Sequence, residues 1–143
     1  MPFREKRAWI SFVSIFLVGI VYFTNLTILF MRDPLPPFNY LAHLALLAIS
    51  AFVLLEIALL VGLNMISSKE ERMPKDEREL LIEARATKIA YVCLMIMSFI
   101  AAALVVHHPP RFSWLMGNVV ILAIVLAELI KHGTVIVLFR RGS

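Results

Sequence analysis

The sequence predicts an all-α integral membrane protein, an up-down four-helix bundle of membrane-spanning helices. Of its 143 residues, 61% are hydrophobic, and the mean hydropathy of +0.87 is high for a soluble domain, whose apolar share is only about half. Charges are almost absent from four long stretches. Twelve of the twenty-four charged residues lie instead between residues 67 and 91. Each charge-poor stretch has about the 20 apolar residues that a helix needs to cross a bilayer.

The whole chain, residues 1–143, is predicted to form a single transmembrane domain. The four predicted spans cover about residues 8–31, 41–66, 89–106 and 113–139. The basic "REKR" before the first span is typical of a signal peptide, but the apolar run that follows is longer than the 7–15 residues of such a peptide. We therefore expect the first span to be a retained helix.

The basic residues predict how the spans are oriented. Eleven of the fourteen Lys and Arg residues lie at the two ends of the chain or in the central segment, and positive charge marks the cytoplasmic side of a membrane protein. Both termini and the central segment are therefore predicted to be cytoplasmic. Two short turns with Pro pairs, "PLPPF" and "HPPRF", then close helical hairpins on the outside, because proline cannot continue a helix.

The central segment, residues 67–88, divides into a loop and a helix extension. Pro74 suits a first helical position, and Asp76 and Glu77 after it favour a helix start. The third helix is therefore expected to begin in the cytoplasm and to continue unbroken into its span.

At 100° per residue, acidic and basic side chains of this extension fall on opposite faces. These residues form the predicted interaction surface: Asp76, Arg78, Glu79, Glu83, Arg85 and Lys88. The acidic face is available to solvent, to the basic chain ends or to a partner, and the basic face is available to lipid phosphates.

The segment "DERELLIEARATKIAY" also carries a family resemblance. It is similar to a pattern, DERxxxIxx[KR]AxxxAY, of small uncharacterised prokaryotic multi-span membrane proteins. The matching residues are Asp76, Glu77, Arg78, Ile82, Arg85, Ala86, Ala90 and Tyr91. The resemblance implies a multi-pass protein of a prokaryotic cytoplasmic (inner) membrane, and it implies no catalytic residue because the activity of that family is unknown.

Ionisable residues inside spans are candidate functional residues, because a charge at the centre of a membrane helix costs about 2.5–3.5 kcal/mol on insertion scales. The candidates are Glu56, Glu128, Lys131 and His132. The two carboxylates are expected at similar depth on helices that face each other diagonally across the bundle. One hypothesis is a proton-linked site, and the alternative is a polar clasp that fixes the register of the helices or an oligomer contact.

The remaining polar residues indicate little chemistry. His43 with His107 or His108 at the outer side would suit the axial ligands of a b-type haem. The single cysteine, Cys93, lies in a span and is expected to pack as a small apolar residue. The sequence has no catalytic motif or metal-ligand framework.

The sequence thus favours a non-enzymatic membrane module that acts through helix packing and the charged extension, in an interaction, regulatory or subunit role. A small proton- or cation-coupled transporter using Glu56 and Glu128 is the alternative, and a b-type haem protein is the third hypothesis. The expected partners are the lipid bilayer and a second copy or larger membrane complex. Nucleic acid is not expected, because the basic residues are explained by membrane orientation.

Overall fold

The computed structural model describes residues 3–33, 37–67, 76–107 and 113–141. These residues form four α-helices: α1 (Phe3–Arg32), α2 (Phe38–Ile66), α3 (Glu77–His107) and α4 (Ser113–Arg141). All four helices are long and apolar enough to cross a membrane. The prediction of an all-α protein with four potential spans is therefore confirmed.

Local chemistry accounts for several helix ends. α1 ends at Arg32, and the N–H of Asp33 donates to the carbonyl oxygen of Leu29 over 2.9 Å. α2 begins directly after Pro37, the last residue of its proline-rich turn. α3 has Glu77 and Glu79 in its first turn, where carboxylates interact favourably with the positive end of the helix dipole.

The third helix is continuous from the charged segment into the apolar one. α3 has 31 residues and runs without interruption from Glu77 to His107. Its observed start is Glu77, whereas the predicted start at Pro74 lies outside the described residues, as do the loop before it and most of both Pro-Pro turns. Arg78, Glu79, Glu83, Arg85 and Lys88 of the extension therefore belong to the same helix as the third predicted span, and Asp76 immediately precedes that helix.

The helices pack in the spatial order α2, α1, α4, α3. The main interhelical contacts are between α3 and α4, between α1 and α4, and between α1 and α2. α1 and α4 run antiparallel, because Glu5 lies beside Arg140 at one end and Tyr22 lies beside Asn118 towards the other. Within the described ranges, α2 makes no comparable contact with α3 or α4, so α2 is attached to the other helices mainly through α1.

Two clusters of buried side chains form the core. The cluster nearer the chain ends joins three helices and comprises Ala8, Ile82, Ala86, Val135 and Ile136. The other cluster joins α1 to α2 through Tyr22, Leu26 and Leu41. Small residues dominate the burial along α3 and α4, where Ala86, Ala90, Ala101, Ala123 and Ala127 are all buried. Alanines at a helix interface permit close backbone approach, which is a common way of packing helices in a membrane.

α2 presents most of its surface outward. None of the residues in its most apolar stretch of 18 residues is buried, although this helix has the highest mean hydropathy of the four. Leu47, Leu54 and Ile57 are examples of its exposed large side chains. An apolar surface of this kind is suited to a lipid environment, because hydrocarbon carries no penalty for contact with Leu and Ile.

Candidate functional site

A groove-like cavity lies between α1, α2 and α4, on the side where α2 and α4 separate. Its volume is about 360 Å³, within the range of about 300–1,000 Å³ that is usual for small-molecule sites. The lining comprises Ile15, Val18, Gly19 and Tyr22 of α1, Ala45, Ala48, Ile49, Phe52 and Val53 of α2, and Ile121, Ile124, Val125 and Glu128 of α4. Apart from Tyr22 and Glu128, every lining residue is apolar.

Polar side chains gather at one end of this cavity. Glu128 is part of the lining, and Lys131 and His132 follow it by three and four residues on α4. Glu56 follows the lining residue Phe52 by four residues on α2. Four residues are about one helical turn, so Glu56, Lys131 and His132 all lie about one turn beyond the lining.

α1, the remaining helix that lines the cavity, contributes a hydroxyl to the same end. Ser11 precedes the lining residue Ile15 by four residues on α1. Since α1 runs antiparallel to α4, this step leads to the same end of the cavity as the step from Glu128 to His132. Three different helices therefore supply polar groups to one end of an apolar cavity. We call Ser11, Glu56, Glu128, Lys131 and His132 the polar end.

Glu128 has basic partners on its own helix. Lys131 Nζ lies 3.1 Å from Glu128 Oε2, and His132 Nε2 lies 3.5 Å from the same oxygen. The spacings of three and four residues place these side chains on neighbouring parts of one helix face. The sequence indicated this grouping, and the structure brings all three side chains together.

Glu56 has a different partner. Ser11 Oγ donates a hydrogen bond of 2.6 Å to Glu56 Oε1, which joins α1 to α2. In the part of the chain that the structure describes, no basic side chain forms an ion pair with Glu56. The two carboxylates thus lie at the same end of the cavity, but each is held by a separate contact.

The balance of charge at the polar end follows from these contacts. Two carboxylates, Glu56 and Glu128, are accompanied by one ammonium group, that of Lys131. Counted with both carboxylates ionised and His132 neutral, the polar end has a formal net charge of one negative unit. A charge in a low-dielectric environment is costly unless it is paired, and Glu56 is the carboxylate of this end that has no ion pair among the described residues.

The acidic stripe of the α3 extension contacts the start of α1. Arg4 Nε lies 2.7 Å from Glu79 Oε2, and Arg4 Nη1 lies 3.5 Å from Glu83 Oε1. The sequence leaves the acidic face available to solvent, to the basic chain ends or to a partner. In the structure, Glu79 and Glu83 contact a basic chain end. The other four residues of the predicted interaction surface, Asp76, Arg78, Arg85 and Lys88, are exposed.

A neighbouring contact joins the two ends of the chain. Arg140 Nε lies 3.4 Å from Glu5 Oε1, and the Arg140 guanidinium lies 5.4 Å from the centre of the Trp9 ring. This distance is within the range of cation–π interactions. The first turns of α1 and the last turn of α4 are thereby held together by charge as well as by apolar packing.

The residues that match DERxxxIxx[KR]AxxxAY have two different environments. Ile82, Ala86 and Ala90 are buried, and Ile82 and Ala86 pack in the core cluster with α1 and α4. The acidic and basic residues of the pattern, together with Tyr91, are exposed. The pattern therefore combines an apolar packing face with a charged helix start.

The structure describes the side chain of only one predicted haem ligand, His43. His43 is exposed on α2, the side chain of His107 and the whole of His108 lie outside the described residues, and Cys93 is a half-buried free thiol. Among the described residues, no three His, Cys, Asp or Glu side chains are grouped so as to hold a metal ion.

The sequence did not predict the cavity or two of the polar contacts around it. Ser11 was not identified as a partner of Glu56, and the buried hydrogen bond from the Tyr22 hydroxyl to Asn118 Oδ1 was not anticipated. Polar residues in otherwise apolar spans were the available signal.

Comparison of the chain with protein-family models, with curated proteins and with solved structures finds no match.

Proposed function

We propose that the chain is a small proton- or cation-coupled membrane transporter that uses Glu56 and Glu128. The observation that carries this proposal is the location of Glu56, about one turn beyond a cavity that Glu128 lines, with no basic partner among the described residues. An unpaired carboxylate in a membrane span is costly. A transported proton or cation compensates that charge and gives the residue a role.

The arrangement of the helices supports coupling between ion binding and movement. α2 is attached mainly through α1, and the cavity separates it from α4. Neutralising Glu56 removes the net charge of the polar end, and with it the cost of exposing that end to an apolar environment. The proposed cycle therefore alternates between a neutral polar end, which can face hydrocarbon, and a charged one, which requires water or a cation.

The membrane setting is part of the proposal. Four helices of sufficient length and apolarity support a multi-pass protein, and the basic residues at the chain ends support cytoplasmic termini. The first turns of α3 then lie in the cytoplasm. We place the protein in a prokaryotic inner membrane, with the exposed surface of α2 available to lipid, to a second copy or to a larger complex.

Proteoliposomes with a trapped pH-sensitive dye test the transport function. The parent protein should dissipate an imposed pH gradient, with or without an opposing gradient of Na⁺ or K⁺, faster than empty liposomes do. Glu56→Gln and Glu128→Gln should each reduce this flux to the rate of empty liposomes. Glu77→Gln is the matched control, because Glu77 is an exposed carboxylate in the first turn of α3, a helix that does not line the cavity. A parent protein without flux above empty liposomes would contradict the proposal.

The exposed part of the extension supports a second candidate function, the non-enzymatic interaction module that the sequence favours. Asp76, Arg78, Arg85 and Lys88 are exposed, although Glu79 and Glu83 are engaged by Arg4. A photo-crosslinking residue at position 85 should then capture one defined partner in native membranes. The same residue at position 54, where the exposed apolar Leu54 of α2 lies, should not capture that partner. Equal labelling at both positions would contradict this second function.

A further inference from the structure

The geometry points to a substrate class for the proposed transporter: an amphipathic monovalent cation, with its apolar part in the cavity and its charged group at the polar end. This inference rests on the proposed function in taking the cation as a transported substrate. Its binding step is independent of transport and can be tested alone.

The cavity itself argues for an apolar body of small-molecule size. Its volume of about 360 Å³ is at the lower end of the usual range for ligand sites. The cavity is lined by α1, α2 and α4, and α2 and α4 make no extensive contact with each other in the described ranges. We infer that a ligand dissolved in the bilayer enters between these two helices.

The polar end argues for positive charge on that ligand. Glu56 and Glu128 outnumber Lys131, and Glu56 has no ion pair among the described residues. A cation at this end restores neutrality, whereas an anion would add a second uncompensated negative charge. One unit of net negative charge matches a monovalent cation.

An aromatic ring of the lining lies on the same helix as Glu56. Phe52 lines the cavity and precedes Glu56 by four residues, so the two side chains lie on the same face of α2. A desolvated cation is attracted to the face of an aromatic ring by the negative charge density of the ring's π system. Phe52 and Glu56 therefore form a combination suited to an alkylammonium head group.

Binding to protein in nanodiscs of phosphatidylcholine tests the inference with three probes that share one tail. The probes are octyltrimethylammonium, octanoate and 1-octanol, measured by equilibrium binding with empty nanodiscs subtracted. The cation should saturate at about one per chain and should bind at least tenfold more tightly than either other probe. Glu56→Gln and Glu128→Gln should each weaken cation binding about tenfold, and Glu77→Gln should leave it unchanged.

A variant that fills the cavity provides a test without altering charge. Ile124 lines the cavity and is 50% exposed, so Ile124→Trp should block cation binding without an overpacked core. Val120→Trp is the matched control, because Val120 lies on the same helix, is 48% exposed and is not part of the lining. Folding of each variant is checked by circular dichroism and gel filtration.

The outcomes separate this inference from the transport proposal. Equal binding of the three probes would show that the cavity binds the alkyl tail without recognising the charged group, and it would overturn the inference. Cation binding that survives Ile124→Trp and both carboxylate substitutions would also overturn it. Selective cation binding without any flux would retain the inference and contradict transport, while proton flux without cation binding would do the reverse.

Discussion

Ser11 Oγ of α1 lies 2.6 Å from Glu56 Oε1 of α2 and donates a hydrogen bond to it. Ser11 is almost fully buried, at 1% exposure. The contact joins the peripheral helix α2 to the central helix α1 at the polar end of the cavity. Removing it should therefore affect both the attachment of α2 and the carboxylate that we assign to ion coupling.

Ser11→Ala should lower the free energy of unfolding by about 1.5–3 kcal/mol, the usual worth of a hydrogen bond to a charged group. Ser14→Ala is the matched control, since Ser14 is equally buried at 2% exposure but its hydroxyl donates to the carbonyl oxygens of Ile10 and Ser11 within its own helix. We expect Ser14→Ala to cost less than about 1 kcal/mol. Equal losses in reversible unfolding from detergent would contradict this assignment, as would a Ser11→Ala effect that is undiminished in a Glu56→Ala background.

Arg4 should anchor the start of α3. Arg4 of α1 contacts two carboxylates of α3, that of Glu79 at 2.7 Å and that of Glu83 at 3.5 Å. Arg4→Ala should speed amide hydrogen exchange in the first two turns of α3 by about two- to fivefold, because a partly exposed ion pair contributes about 0.2–1 kcal/mol. Arg7→Ala, which removes an exposed basic residue of the same segment, should leave that exchange unchanged. High salt should reduce the difference between the Arg4→Ala variant and the parent.

The alanine interface of α3 should tolerate no larger side chain. Ala86 has 0% exposure in the cluster that joins α1, α3 and α4. Ala86→Leu should therefore lower the free energy of unfolding by about 1–3 kcal/mol or more through overpacking. Ala84→Leu introduces the same change at an exposed position of the same helix, and it should be nearly neutral. Thermal unfolding in lipid nanodiscs distinguishes the two, and similar melting temperatures would show that Ala86 is not a tight contact.

The four helices could be predicted because the charge-poor stretches are long and the charged residues lie between them. The continuity of α3 also followed from local signals, since no Pro or Gly lies between Pro74 and Pro109. The grouping of Glu128 with Lys131 and His132 was predictable for the same reason, as it depends only on spacing within one helix. These features are all encoded locally.

The location of α2 could not be predicted, because that helix is apolar on nearly all sides. Its periodicity does not indicate which face packs on α1, so neither the contact between Ser11 and Glu56 nor the cavity beside α4 followed from the sequence. The small residues of α2 and Gly117 of α4 are not the main tight contacts between helices. Buried alanines at the α3–α4 side, such as Ala86 and Ala123, have that role, and an added Cβ at Gly117 would meet no atom within 4 Å.

Two glycines in the spans should respond differently to the same substitution. A Cβ at Gly62 of α2 would meet nothing within 4 Å, whereas a Cβ at Gly19 of α1 would lie 3.3 Å from Val125 Cγ1 of α4. Gly62→Ala should raise the free energy of unfolding by about 0.5–1 kcal/mol, because glycine inside a helix costs that much relative to alanine. At Gly19 this gain is offset by the displacement of Val125, and Gly19→Leu should lower the free energy of unfolding by about 1–3 kcal/mol. Gly62→Leu is the control for side-chain size, and equal unfolding free energies for the two Leu variants would contradict the close approach of α1 and α4.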